Sequence, residues 1–75
     1  METIVFEGWK VGMRKIPFIK LLNLKVGLSL KESKRIKDSV VEGETNKIQV
    51  DSLDFALEII NEASELGVKC RLQEE

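Results

Sequence analysis

The chain predicts an α+β two-layer sandwich with the element order β-α-α-β-α-β. Three observations carry this. Short segments of strand character stand at the start, middle and end of the chain, at residues 3–6, 47–50 and 68–72. Segments with apolar residues at helical spacing lie between them. Ser29 and the Asp51-Ser52 pair supply helix starts, and Gly27 and Gly67 supply helix ends. Such an order gives a three-stranded, mainly antiparallel sheet with three helices on one face. The 75 residues form a single domain, with no linker and no internal repeat.

Each element has its own signals. Thr3-Ile4-Val5-Phe6 is β-branched and aromatic, and reads as a strand. Gly8 and Gly12 flank Trp9 and predict a turn or bulge, with strand structure resuming over residues 9–11. Trp9 is read as a lid on a small core in preference to an exposed contact aromatic. Pro17 suits the first turn of a helix, where its missing N–H costs nothing. In that helix Phe18, Leu21, Leu22 and Lys25 share one face, and Ile16, Ile19, Lys20 and Asn23 share another. One of these faces is expected to point at the core.

Ser29-Leu30-Lys31-Glu32 has the form of a capping box, in which the serine accepts an N–H bond and the glutamate returns one. It opens a helix over residues 30–41, with Leu30, Ser33, Ile36, Lys37 and Val40 at helical spacing. Lys47-Ile48-Gln49-Val50 alternates as a half-buried strand. Asp51 or Ser52 caps the third helix, whose expected core stripe is Leu53, Ala56, Leu57, Ile60 and Ser64. Gly67 ends it, and Val68-Lys69-Cys70-Arg71-Leu72 forms the last strand.

Composition removes several chemistries. The chain has no histidine and no tyrosine, so a His-based triad, a His-ligated metal and an imidazole pH switch are absent. Cys70 is the single cysteine, so no disulfide forms within the chain, and a cytoplasmic setting is expected. No apolar run approaches the roughly 20 residues of a membrane span. Glu2 and Glu7 precede the first base, unlike a secretory signal. No nucleophile–base pair or phosphate loop is visible, so an enzyme is the least favoured class, and no cofactor or metal is expected. Glu58, Glu62 and Glu65 share a helix face and read as solvated. Asp51 and Asp54 suit a helix N-terminus. Cys70 reads as a small buried group in a strand.

The net charge of −1 conceals a division along the chain. Residues 10–37 hold nine bases and one acid, Glu32, for a net of +8. Residues 38–67 hold eight acids and one base, Lys47, for a net of −7. A basic first half steers acidic partners. The alternative is that the two halves face each other within the molecule. Ile16 and Ile19 with Lys15 and Lys20 beside them form an apolar spot ringed by lysines, which favours docking.

Lys15-Ile16-Pro17-Phe18-Ile19-Lys20, followed by Gly27-Leu28-Ser29-Leu30-Lys31-Glu32-Ser33-Lys34, resembles the C-terminal domain of the bacterial ribosomal stalk protein, the L-seven/L-twelve protein. Six of the eight positions of that family's Gly-Leu-Gly-Leu-Lys-Glu-Ala-Lys signature match, with Ser29 for glycine and Ser33 for alanine. The element order agrees over nearly the whole chain. The resemblance implies a docking module that recruits translational GTPases through its first two helices. By position that surface is Lys15, Ile16, Ile19, Lys20, Leu30, Lys31, Glu32 and Lys34.

Asn23 and Leu24 stand where the family usually has arginine and glycine, and asparagine cannot make arginine's bidentate pair with a carboxylate. The family's dimerisation domain and hinge have no counterpart here. The expectation is therefore a freestanding monomer: a paralogue, a viral copy or an excised domain, with ribosome association open. The same fold serves the Clp-protease adaptor ClpS, whose Asp-rich motif and histidine are missing. The alternative function is a small nucleic-acid-binding or host-factor-modulating protein that uses the same basic patch.

Overall fold

The computed structural model describes residues 1–73, and Glu74 and Glu75 of the acidic end lie outside the described residues. The elements are β1 (Glu2–Trp9), α1 (Lys15–Lys20) running on into a π-helical segment (Leu21–Val26), α2 (Leu30–Val41), β2 (Asn46–Val50), α3 (Leu53–Glu65) and β3 (Val68–Leu72). The fold is the expected α+β arrangement: a β-α-α-β-α-β order with a three-stranded antiparallel sheet.

The sheet order is β2-β1-β3, which makes β1 the central strand. That position explains why β1 runs beyond the four β-branched and aromatic residues. It has a partner on each side, with Ile4 opposite both Ile48 and Leu72. The glycine before Trp9 marks a bulge and not a break. Phe6 pairs with Cys70 and Gly8 with Lys69, so Glu7 is the extra residue. Strand structure ends at Trp9, and residues 11–12 form a turn.

Ile4 and Phe6 point into the core with Ile48, Val50 and Val68. The helical layer answers with Phe18 and Leu22, Ile36 and Val40, and Ala56, Ile59 and Ala63. Phe18 meets Phe6 edge to face, with ring centroids 5.4 Å apart, an arrangement that aromatic quadrupoles favour. Val5 stands outside this cluster and is still fully buried. Its cross-strand neighbours are Lys47 and Arg71.

Two side-chain expectations are corrected. The core side of α3 is Ala56, Ile59 and Ala63, not the stripe centred on Leu57. Leu53 and Leu57 are 46% and 49% exposed, and Ser64 is exposed. The small side chains Ala56 and Ala63 let the helix approach the sheet closely, and this outweighs the wider leucine stripe. In α1 both Phe18 and Ile19 are buried, because the helix packs on α2 as well as on the rest of the core.

Backbone geometry sets the two sharp helix exits. Gly27 (φ +92°) closes the π-helical segment, its N–H bonded to the Leu22 carbonyl. Gly67 (φ +89°) follows α3, and a Cβ there would lie 2.9 Å from Met13 Cα. The β1–α1 loop thus lies directly on the α3–β3 turn, tied by Arg14 N–H to Leu66 O at 2.9 Å and Lys10 N–H to Gly67 O at 2.7 Å. Trp9 closes the other end of that loop. Its indole Nε1–H donates to the Val41 carbonyl at 2.9 Å, satisfying an orphan acceptor at the end of α2. At 42% exposure Trp9 is held by this bond and stays open to solvent.

Candidate docking surface

The first two helices are set against each other by a three-residue connection with its own hydrogen bonds. Ser29 caps α2: its Oγ accepts the Glu32 N–H at 3.1 Å. The capping box is only half formed. The Glu32 carboxylate does not return the bond but turns to Arg35, whose Nε lies 3.1 Å from both oxygens. That charge-assisted hydrogen bond holds the Glu32 carboxyl below its ordinary range. Ser33 is fully buried, and its hydroxyl donates to the Ser29 carbonyl at 2.8 Å. Asn23 Nδ2 donates to the Leu28 carbonyl at 2.8 Å, so this side chain braces the connection and is not free to meet a partner.

On this frame the expected contact residues separate. Ile16 is 62% exposed and Leu30 is 51% exposed. Lys15, Lys20, Lys31 and Lys34 are all exposed. Ile16 and Lys20 lie one turn apart on α1, as Leu30 and Lys34 do on α2. Ile19 does not belong with them: it is 7% exposed and has been drawn into the interior. Glu32 is half-buried and held by Arg35, so it presents an already paired carboxylate. Leu24, at 77% exposure, is an exposed apolar side chain of the π-helical segment outside the expected set. No proline or glycine inside residues 21–26 signals that segment, and a regular α-helical wheel does not place Leu24 reliably.

The ion pairs decide how the two charged halves relate. Lys25 bridges to α3, with Nζ 2.5 Å from Glu58 Oε1 and 2.7 Å from Glu62 Oε2. Hydrogen bonding to these carboxylates raises the Lys25 pKa. Arg35 pairs with Glu32 and Lys37 with Asp38, both within α2. Among the described residues, Lys15, Lys20, Lys31 and Lys34 pair with no acid. The basic half is therefore joined to the acidic helix at Lys25 alone, and its remaining charge faces outward.

Cys70 is half-buried in β3, its thiol 3.4 Å from the Ile60 carbonyl. Burial, with the Glu7 charge adding to it, pushes this thiol up to about 11. Lys69 and Arg71 lie on the opposite face of the strand, and both are exposed. Alkylation of folded protein at pH 8 is expected to run about a hundredfold slower than in denaturant. Timed mass spectrometry with iodoacetamide checks this. Above pH 9 the unfolded chain gives up this proton before the folded one, so stability falls as pH rises there.

Among the described residues, no group of His, Cys, Asp and Glu could hold a metal ion, and no helix is long and apolar enough to cross a membrane. Comparison with protein-family models, curated proteins and solved structures finds no match to this chain.

Proposed function

We propose that the chain is a non-catalytic protein-docking module, similar in role to the ribosomal stalk C-terminal domain. It holds a translational GTPase, or another protein with an acidic surface, against α1 and α2. The observation that carries this reading is the pairing of Ile16 and Leu30, both more than half exposed, with four lysines that meet no described acid. Apolar side chains left in water beside unpaired charges suit a partner that buries the first and complements the second. Lys15, Lys20, Lys31 and Lys34 steer the encounter, and Ile16 and Leu30 supply contact area. Ile19 and Glu32 support the surface from within and from its rim. Asn23, turned to the Leu28 carbonyl, leaves the partner without an arginine clamp, so the interaction leans on the lysines.

A nucleic-acid partner is less well served. Single-stranded binding needs exposed stacking aromatics. Phe18 is fully buried, which leaves Trp9, at 42%, as the one exposed aromatic among the described residues.

The test is calorimetric titration with purified translational GTPases at two salt concentrations, beside a structured RNA. Binding to a GTPase is expected, weakening about tenfold between roughly 0.05 and 0.5 M salt as the lysines are screened. Binding to the RNA alone would replace this reading with the nucleic-acid one.

A further inference from the structure

The outer edge of the sheet at β3 combines two features that point to the same occupant. The first is a row of unpaired backbone groups. Gln73 N–H donates to the Thr3 carbonyl at 2.9 Å, and Val5 lies opposite Arg71. The alternation of an antiparallel ladder then turns the N–H and C=O groups of Cys70 and Leu72 away from β1. Beyond the bulge Lys10 N–H bonds to Gly67 O, and Val68 there is 1% exposed and closed to a partner, so the open part of the edge is Cys70 and Leu72. No described backbone group pairs with the N–H of Cys70 or Leu72, and both residues are only partly buried.

The second feature is the apolar flank of α3 beside that edge. At about 100° per residue, Leu53, Leu57 and Ile60 share the flank opposite Glu62, which Lys25 holds. Ile60 meets β3 directly, its carbonyl 3.4 Å from the Cys70 thiol. Leu53 and Leu57 are about half exposed, and Ile60, Cys70 and Leu72 are only partly buried. These leucines are the part of the α3 stripe that the core does not use, and they share a flank with Ile60, which meets the edge strand.

We propose that this edge takes an extended segment of another protein as a fourth strand, one in which acidic residues alternate with apolar ones. The added strand's inward side chains would cover Leu57 and Leu72. Its outward side chains would lie beside Lys69 and Arg71, of which Arg71 is paired with Glu7 and Lys69 with no described acid. Opposite charges across a strand pair stabilise it, and like charges oppose it. This favours an acidic strand over a second copy of the chain. Pairing β3 with β3 in the register centred on Cys70, which overlaps the whole strand, would set Lys69 against Arg71 on both sides. The mode is strand addition, in which the main chain supplies affinity and alternate side chains supply selectivity. It is independent of the docking role of α1 and α2.

The probe is a synthetic heptapeptide alternating glutamate and valine, titrated into 15N-labelled protein, with a lysine–valine peptide as control. The expected result is millimolar or tighter binding that shifts the Cys70 and Leu72 amides and slows their hydrogen exchange. Lys69→Glu and Leu57→Ser are each expected to weaken it about fivefold, as is the lysine peptide. Absence of shifts at millimolar peptide overturns the proposal. So do shifts confined to α1 and α2, or protection of the same amides by a concentration-dependent dimer without peptide.

Discussion

Replacing Lys20 and Lys34 together by glutamate is expected to abolish capture of the acidic partner while leaving the fold intact. Both side chains are exposed, and neither pairs with a described acid. Their removal therefore leaves no buried group unsatisfied, and exposed substitutions of this kind usually change stability by less than about 0.5 kcal/mol. Binding responds differently. The variant places two negative charges where the partner presents its own, and like-charge contacts across an interface cost several kcal/mol. A micromolar complex would fall beyond millimolar. Circular dichroism melting should give overlapping curves for the two proteins, and calorimetry should show heat for the parent alone. Equal affinity of the variant would remove the lysines from the interface.

Phe18→Ala is expected to have the largest effect on stability. Phe18 is fully buried against Phe6, in a core built by so few large side chains that none can expand to fill its place. Phenylalanine truncation in a packed core costs about 3–5 kcal/mol. In a domain of this size that corresponds to a fall of roughly 12 °C or more in Tm. Its neighbour offers an internal control. Ile16→Ala, two residues earlier and 62% exposed, should barely move the melting curve while weakening the partner complex. Thermal unfolding of both variants separates the core role of α1 from its outward role. A Phe18→Ala protein that melts with its parent would contradict the packing described.

The fold was legible because its local signals agree with one another. Ser29 and Ser52 cap α2 and α3 where those signals place the helix starts. Gly27 and Gly67 end their helices with positive φ. Side-chain orientation was less legible. A helical wheel knows which residues are apolar, but not that Ala56 and Ala63 allow close approach to the sheet. The leucine-rich stripe of α3 therefore pointed about a quarter-turn away from the true core. Ile19 was misplaced for a related reason: α1 packs on α2 as well as over the sheet residue Phe6, so it buries more than one face.

The candidate surface was legible in its charge. Lys15, Lys20, Lys31 and Lys34 were visible as a cluster, and Ile16 as an exposed apolar residue. Their freedom from internal pairing was not visible. It depends on Lys25 alone reaching Glu58 and Glu62 across the helical layer. Leu24 and the turned-in Asn23 depend on the π-helical segment, which no breaker residue announces.

The most direct test of the docking account is amide shift mapping of the 15N-labelled chain on addition of an unlabelled translational GTPase. The account predicts that signals of Lys15, Ile16, Lys20, Leu30, Lys31 and Lys34 shift or broaden first, and that added salt reverses the change. A partner that perturbs the sheet's open face or the β3 edge while leaving these six signals unmoved would contradict it.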